Sequence, residues 1–205
     1  MRLPGITILR PAPTFAPPLT SRRLLLALAL LAPLAGLAQR DIDVQLRAAA
    51  ERGDLAAFRS LVASGADVNA RDAQKDSAFL LAARNGHAAI VREAVAAGAD
   101  LRSLNRYGST ALMGPSYRGH VEVVQVLLGT GIDLHHVNDL GWTALLEAIV
   151  LGTDGPAHRE IVRLLVARGS DVQRTDRDGV SALQHAQRRG QVEVVRILRA
   201  AGATK

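Results

Sequence analysis

The chain has 205 residues, of which 48% are hydrophobic but only 3% aromatic, and it contains no cysteine. This composition favours a core of small aliphatic side chains, and it excludes disulfides, thiolate catalysis and cysteine-ligated zinc. Four of the 25 basic residues and none of the 19 acidic ones lie in the first 38 positions, so the net charge of +6 falls to +2 (21 against 19) without that segment. A nearly neutral remainder does not predict a phosphate-binding surface.

The N-terminal segment is typical of a secretory signal peptide. Arg22 and Arg23 precede a leucine-rich run over residues 24–32, and the segment ends on the small residue Ala38. A positive region, a short apolar core and a small-residue cleavage site predict removal of residues 1–38 on export. The apolar core is shorter than the roughly 20 residues of a membrane span, and an uncleaved anchor helix is the alternative. The paired arginines leave both the general secretory and the twin-arginine routes open.

Beyond this segment, glycines recur at a fixed period. The first series has spacings of 33, 33, 33 and 38 and comprises Gly53, Gly86, Gly119, Gly152 and Gly190. The second has spacings of 33, 33, 38 and 33 and comprises Gly65, Gly98, Gly131, Gly169 and Gly202. One displaced step in an otherwise constant period indicates a repeat array with an insertion of five residues. The insertion, TDGPA at 153–157, predicts a lengthened loop between two helices.

The sequence pattern of each unit predicts an inner helix followed by an outer helix. A hydroxyl residue precedes each inner helix as its N-cap, at Ser77, Thr110, Thr143 and Ser181. Apolar pairs such as Val123 and Val124 predict the face of the outer helix that packs on the next unit. Gly114 and Pro115 predict a kinked or late-starting inner helix in the third unit. Lys75 replaces the turn glycine of the second unit and predicts a different turn there.

These units resemble the ankyrin repeat. The resemblance covers residues 41–205 and is carried by SGADVNARD, NRYGSTALMGPSYRGHVEVVQVLLGTGIDL and DRDGVSALQHAQRRGQVEVVRILRAAGA. It implies an all-α repeat solenoid of five stacked ankyrin repeats, each a helix-turn-helix with a hairpin-like loop, and a concave face. The expected repeats are 41–71 as the N-terminal cap, 72–104, 105–137, 138–175 with the insertion, and 176–205 as the C-terminal cap.

No convergent catalytic or metal-binding group is evident in the sequence. By the resemblance, three histidines occupy the slot in which a ring nitrogen bonds a neighbouring loop: His87, His120 and His158. His135 and His136 have no third ligand at a suitable spacing, and Glu147 has no second carboxylate placed to work with it. No phosphate-binding loop, nucleophile elbow or HExxH motif is present. We therefore expect neither an enzyme nor a metal or cofactor site.

The resemblance places the variable positions of each unit on the concave face. In the third and fourth units these positions are largely aromatic or aliphatic and are flanked by arginines, which is the composition of a protein-binding hot spot. The expected partner-binding residues are Arg106, Tyr107, Tyr117, Arg118, Asp139, Leu140, Trp142, Val150 and Leu151.

The sequence as a whole predicts a monomeric, non-catalytic protein–protein interaction module. Export and an arginine-heavy composition predict a bacterial protein of the periplasm or the medium, without a membrane span after signal cleavage and without nucleic acid. One alternative is a periplasmic hydrolase or metal-binding protein that uses its histidines. Others are a homo-oligomer stacked at an open end, and an anionic-surface binder that uses the fifth-repeat arginines Arg177, Arg188 and Arg189.

Overall fold

The computed structural model describes residues 39–204, so the predicted signal peptide at 1–38 lies outside the described residues. The described part is helical, with an isolated bridge between Thr175 and Ser181 in place of any strand. No helix in it is long and apolar enough to cross a bilayer. In chain order the helices are α1 (described over 39–52), α2 (Leu55–Ala63), α3 (Ala78–Arg84), α4 (Ala88–Ala96), α5 (Met113–Arg118), α6 (Val121–Leu128), α7 (Ala144–Val150), α8 (Pro156–Ala167), α9 (Ala182–Arg188) and α10 (Val192–Ala200).

The helices form two stacked layers. The inner helices α3, α5, α7 and α9 contact one another in sequence, and so do the outer helices α4, α6, α8 and α10. One continuous apolar cluster runs between the layers, and small residues such as Ala82 and Ala83 let neighbouring helices approach closely. Gly86 shows why the repeated glycine is needed. Its φ is 83°, and an added Cβ would lie 2.7 Å from Nδ1 of His120 in the next unit.

The predicted hydroxyl caps are present in three units. Ser77, Thr143 and Ser181 each accept a hydrogen bond from the backbone N–H three residues ahead, at 3.2–3.3 Å. In the third unit, α5 begins at Met113, and the buried Thr110 hydroxyl has no hydrogen-bond partner in the described part of the chain. The predicted late start is therefore confirmed. Its cause is Pro115, which lacks an N–H and is tolerated only in the first turn of a helix.

The expectation of a different turn at Lys75 is wrong. Lys75 has φ 62°, close to the 67° of Gly108 at the same place in the next unit. The turn is held by Asp72, whose Oδ1 accepts hydrogen bonds from the backbone N–H groups of Gln74 and Asp76 at 2.8 and 2.9 Å. These local bonds hold the lysine in a left-handed conformation that normally favours glycine.

The insertion at 153–157 is only partly a loop. Gly155 has an extended backbone and forms the N-cap of α8, and Pro156 is the first helical residue. Proline suits this position because its missing N–H has no intrahelical acceptor there. As a result α8 has 12 residues, against 8 or 9 in the other outer helices.

Candidate functional site

A cavity of about 400 Å³ lies between the inner helices α3, α5 and α7 and the loops that precede α5 and α7. Its volume is in the range of sites that hold a ligand or an inserted side chain. Five large hydrophobic side chains are exposed within residues 39–204, and three of them line this cavity. Tyr107, Leu140 and Leu151 are 51%, 52% and 50% exposed. Exposed apolar surface is therefore concentrated around one opening.

Six of the nine residues predicted for partner binding line this cavity, namely Arg106, Tyr107, Tyr117, Arg118, Leu140 and Leu151. The other three do not. Trp142 is half-buried and packs against the core, and Val150 is also half-buried. Asp139 borders a different depression, beside Gly108. The large apolar ring of Trp142 packs against the core of the stack, so this residue does not line the cavity.

Two arginines at the rim of the cavity stack on tyrosines. The guanidinium carbon of Arg106 lies 4.8 Å from the ring centre of Tyr107, and that of Arg118 lies 5.4 Å from the ring centre of Tyr117. Arg118 also donates a hydrogen bond from Nε to the Tyr117 hydroxyl at 2.9 Å. In the part of the chain that the structure describes, no carboxylate lies within ion-pair distance of either arginine. The rim therefore carries two positive charges that form no ion pair.

The third arginine of the cavity wall is neutralised. Arg84 donates to Asp76 at 3.0 Å and lies 4.0 Å from Glu51. Burial raises the pKa of Asp76 above its usual value, and the nearby positive charge of Arg84 partly opposes this shift. The pair therefore contributes little net charge to the cavity.

Glu147, on α7, forms the floor of the cavity and is only 5% exposed. Its Oε1 accepts hydrogen bonds from Asn138 Nδ2 at 2.7 Å and from the Ser109 hydroxyl at 3.4 Å. Burial raises the pKa of Glu147 to about 7, although both hydrogen bonds act in the opposite direction. Its Oε2 has no hydrogen-bond partner among the described residues.

Glu147 was not among the binding residues predicted from the sequence. The sequence feature that could have indicated it is a single acid in the otherwise apolar inner helix ALLEAIV. Glu147 is at the position of the repeat that Gly114 occupies in the preceding unit. A single acid in such a helix is consistent with either a solvated side chain or a buried one. Only the neighbouring unit decides between them, because it covers this face of the helix.

The histidines tie neighbouring units together. His87 Nε2 lies 3.0 Å from the carbonyl oxygen of Glu51, and His158 Nε2 lies 2.8 Å from that of Tyr117. These contacts confirm the expected bonds to neighbouring segments. His136 Nε2 is 2.7 Å from the carbonyl oxygen of Gly108. Across residues 39–204, no three histidine or acidic side chains cluster closely enough to hold a metal ion.

The described residues thus form an all-helical repeat solenoid whose inner-helix side has a cavity lined by exposed apolar side chains and two arginines. The family model for ankyrin repeats (three copies) matches residues 46–138 and 116–205. The chain belongs to the ankyrin repeat family, and the predicted fold is confirmed. Repeats of this family are generally protein–protein interaction modules.

A solved structure supports the same assignment. The crystal structure of an ankyrin repeat domain from Acinetobacter baumannii AYE is 46% identical in sequence, with a TM-score of 0.74. The match covers 76% of this chain and 80% of that chain. Among curated proteins, none matches this sequence.

Proposed function

We propose that this protein is a non-catalytic interaction module and that it binds a protein partner over the cavity of the third and fourth repeats. The observation that carries this proposal is the grouping of Tyr107, Leu140 and Leu151 around one opening. Exposed apolar side chains beside a concave site are typical of protein-binding hot spots, where removal of one anchor costs about 2–4 kcal/mol of binding free energy.

We further propose that the protein acts outside the bacterial cytoplasm, in the periplasm or the medium. The support for this is the signal-like segment at 1–38, with its paired arginines and its small-residue end. Mass spectrometry of the protein from the periplasmic fraction should find a mature chain that begins near Gln39. Recovery of the uncleaved chain from the membrane or cytoplasmic fraction would refute this location.

The binding face is tested by affinity capture with the double variant Tyr107→Ala/Leu140→Ala. Because both side chains are exposed and lie at the rim, their removal should leave folding intact and lower partner recovery at least tenfold. The matched control is Val192→Ala, which removes an exposed aliphatic side chain on α10, away from the cavity.

The control variant should recover as much partner as the wild type does. Equal recovery by the double variant and the wild type, with unchanged circular dichroism, would exclude this face. If only Val192→Ala lost partner recovery, the result would instead place the interface on the outer helices.

A further inference from the structure

We propose that the cavity receives a basic side chain of the partner, lysine or arginine, whose cationic group pairs with Glu147, and that the partner surface around this anchor is acidic. This proposal rests on the proposed function, since it names the chemistry recognised at the same face. Its three supports are the unpaired carboxyl at the floor, the apolar walls and the positive rim.

The floor has an acid without a counter-ion. Buried carboxylates in proteins are normally paired with a cation, because burial without one is costly. Among the described residues, the carboxyl of Glu147 hydrogen-bonds only to the neutral side chains of Asn138 and Ser109. Its Oε2 therefore remains available to an N–H donor that enters the cavity. An ammonium or guanidinium group supplies both that donor and the missing positive charge.

The walls suit the alkyl part of a lysine or arginine. Leu80 on α3 and Ala111, Leu140 and Leu151 from the third and fourth repeats provide aliphatic contacts. The rings of Tyr107 and Tyr117, from the third repeat, complete the wall. Long basic side chains commonly bury their methylene groups in this way while the charged end remains polar.

Gly114 keeps this space open. The same register holds Leu81 in the second repeat and His185 in the fifth, whereas the third repeat has no side chain there. A Cβ added at Gly114 would lie 3.3 Å from both Cα and Cβ of Arg84, which is a tight contact. A side chain at this position would therefore narrow the cavity from the α5 side.

The arginines at the rim determine which charges the partner should carry around its basic side chain. Within residues 39–204, Arg106 and Arg118 form no ion pair with a carboxylate, whereas Arg84 is held by Asp76. A partner surface with acidic residues around one basic side chain complements both the positive rim and the acidic floor. A uniformly basic partner would be repelled at the rim.

Binding of a cation at Glu147 should depend on pH. Among the described residues, the helices that pack against α7 carry these charged or titratable side chains: Arg118 on α5, His158, Arg159, Glu160 and Arg163 on α8, and His185 and Arg188 on α9. Arg159 pairs with Asp154 and His185 with Asp176, and His158 bonds the Tyr117 carbonyl. Arg118 and Arg188 have no carboxylate within ion-pair distance in the described part of the chain. Glu160 and Arg163 on α8 pair with each other. Because the pKa of Glu147 is about 7 in the free protein, a bound cation lowers that pKa and displaces a proton. Affinity should therefore increase as the pH rises through 7.

The test uses the probe peptides acetyl-Asp-Glu-Lys-Glu-Asp-amide and its norleucine-centred analogue, titrated into the purified protein by NMR at pH 6 and pH 8. At pH 8 the lysine peptide should bind at least tenfold more tightly than the norleucine peptide. This preference should shrink at pH 6 and disappear in Glu147→Gln. The control Glu160→Gln removes the same charge from α8, outside the cavity, and should keep the preference.

Equal binding of the two peptides to the wild type, or a full lysine preference in Glu147→Gln, would overturn the proposal. Tighter binding of the charge-reversed peptide acetyl-Lys-Arg-Glu-Arg-Lys-amide would overturn it as well. Glutamine keeps the amide oxygen that accepts from Asn138, so a folded Glu147→Gln protein is expected, and circular dichroism verifies this. These failures would leave the proposed function intact, because capture with Tyr107→Ala/Leu140→Ala tests that separately.

Discussion

At Lys75 the chain holds a lysine in the left-handed backbone region that glycine occupies in the other loop turns. The residue is exposed, so no packing of its side chain explains the conformation. The hydrogen bonds to Asp72 impose the turn, and the strain of a non-glycine residue remains, at a cost of about 1 kcal/mol.

Lys75→Gly should therefore raise the free energy of unfolding by about 0.5–1 kcal/mol. Glycine removes the backbone strain of the folded state, and this gain exceeds the loss from a more flexible unfolded chain. Lys75→Ala serves as the charge control and should change stability little. The reverse change, Gly179→Ala, should destabilise by about 1 kcal/mol, because φ is 75° and the added Cβ meets no atom within 4 Å. Urea unfolding followed by circular dichroism measures all three variants. A destabilised Lys75→Gly would show that the turn carries no strain.

At the same scale, Thr110 shows how far local patterns predict structure. The hydroxyl before the inner helix predicts a cap in every unit, and three units have it. In the third unit the effect of Pro115 is stronger, the helix starts late, and the hydroxyl is left without a partner. Both signals lie within five residues of each other, so the exception was predictable along with the rule.

At the scale of elements, the insertion supports the repeat that follows it. Asp154 Oδ1 accepts a hydrogen bond from Arg159 on α8 at 3.1 Å. Its Oδ2 accepts from the backbone N–H of Glu193 at 3.3 Å, in the first turn of α10. Gln191, the residue before α10, makes no side-chain cap, and its Nε2 donates to the carbonyl of Ile149 at 3.0 Å. Asp154 thus supplies the N-cap acceptor for a helix 39 residues further along the chain.

Asp154→Ala should destabilise the protein by about 1 kcal/mol through loss of this cap. Hydrogen exchange should accelerate at the amides of Glu193 and Val194, although both lie far from the substitution in sequence. Asp154→Asn retains an acceptor and should show a smaller effect. The matched control is Asp54→Ala, which removes the cap acceptor of Ala57 within α2 and should accelerate exchange there instead. Unchanged exchange in α10 of Asp154→Ala would show that the contact does not stabilise that helix.

At the scale of the whole molecule, α10 has a face that no other helix of the described residues covers. Leu198 of α10 is fully buried, whereas the next residue, Arg199, is exposed. In α6 the corresponding residues are Leu127 and Leu128, and both are buried because α8 packs beside α6. A charged side chain at this position makes the uncovered face compatible with water.

Glu147 links the cavity of the third and fourth repeats to the stability of the entire stack. Its pKa is about 7 in the folded protein against an ordinary value of 4.5, so the folded state binds the proton more tightly. Tighter proton binding by the folded state contributes fully to the free energy of unfolding below pH 4.5. This contribution is lost as the pH rises from 4.5 to 7, and it is absent above pH 7. The ionised carboxyl should lower the free energy of unfolding at pH 8 by up to about 3 kcal/mol relative to pH 4.5.

Glu147→Gln should remove this part of the pH dependence, because glutamine does not ionise. The variant should be more stable than the wild type at pH 8, and the difference should narrow at pH 5. Urea unfolding followed by the fluorescence of Trp142, the one tryptophan of the chain, measures both proteins at both pH values. An identical pH dependence in wild type and variant would show that Glu147 titrates normally.

Much of this protein was determined by the sequence alone. The period, the helix pairs and the late start of α5 follow from glycine, proline and hydroxyl positions, whose effects act within a few residues. Six of the nine predicted binding residues line the cavity, because position in the repeat largely dictates which way a side chain faces.

Only the tertiary structure decided where Trp142 packs, which helix Asp154 caps, and that Glu147 lies beneath a cavity. Each outcome depends on contacts between repeats. Ser109, which donates to Glu147, is 38 residues away from it, and Asp154 meets Glu193 across 39 residues. Burial, and with it the pKa of a carboxyl, depends on what a neighbouring repeat places over the side chain, which no single repeat encodes.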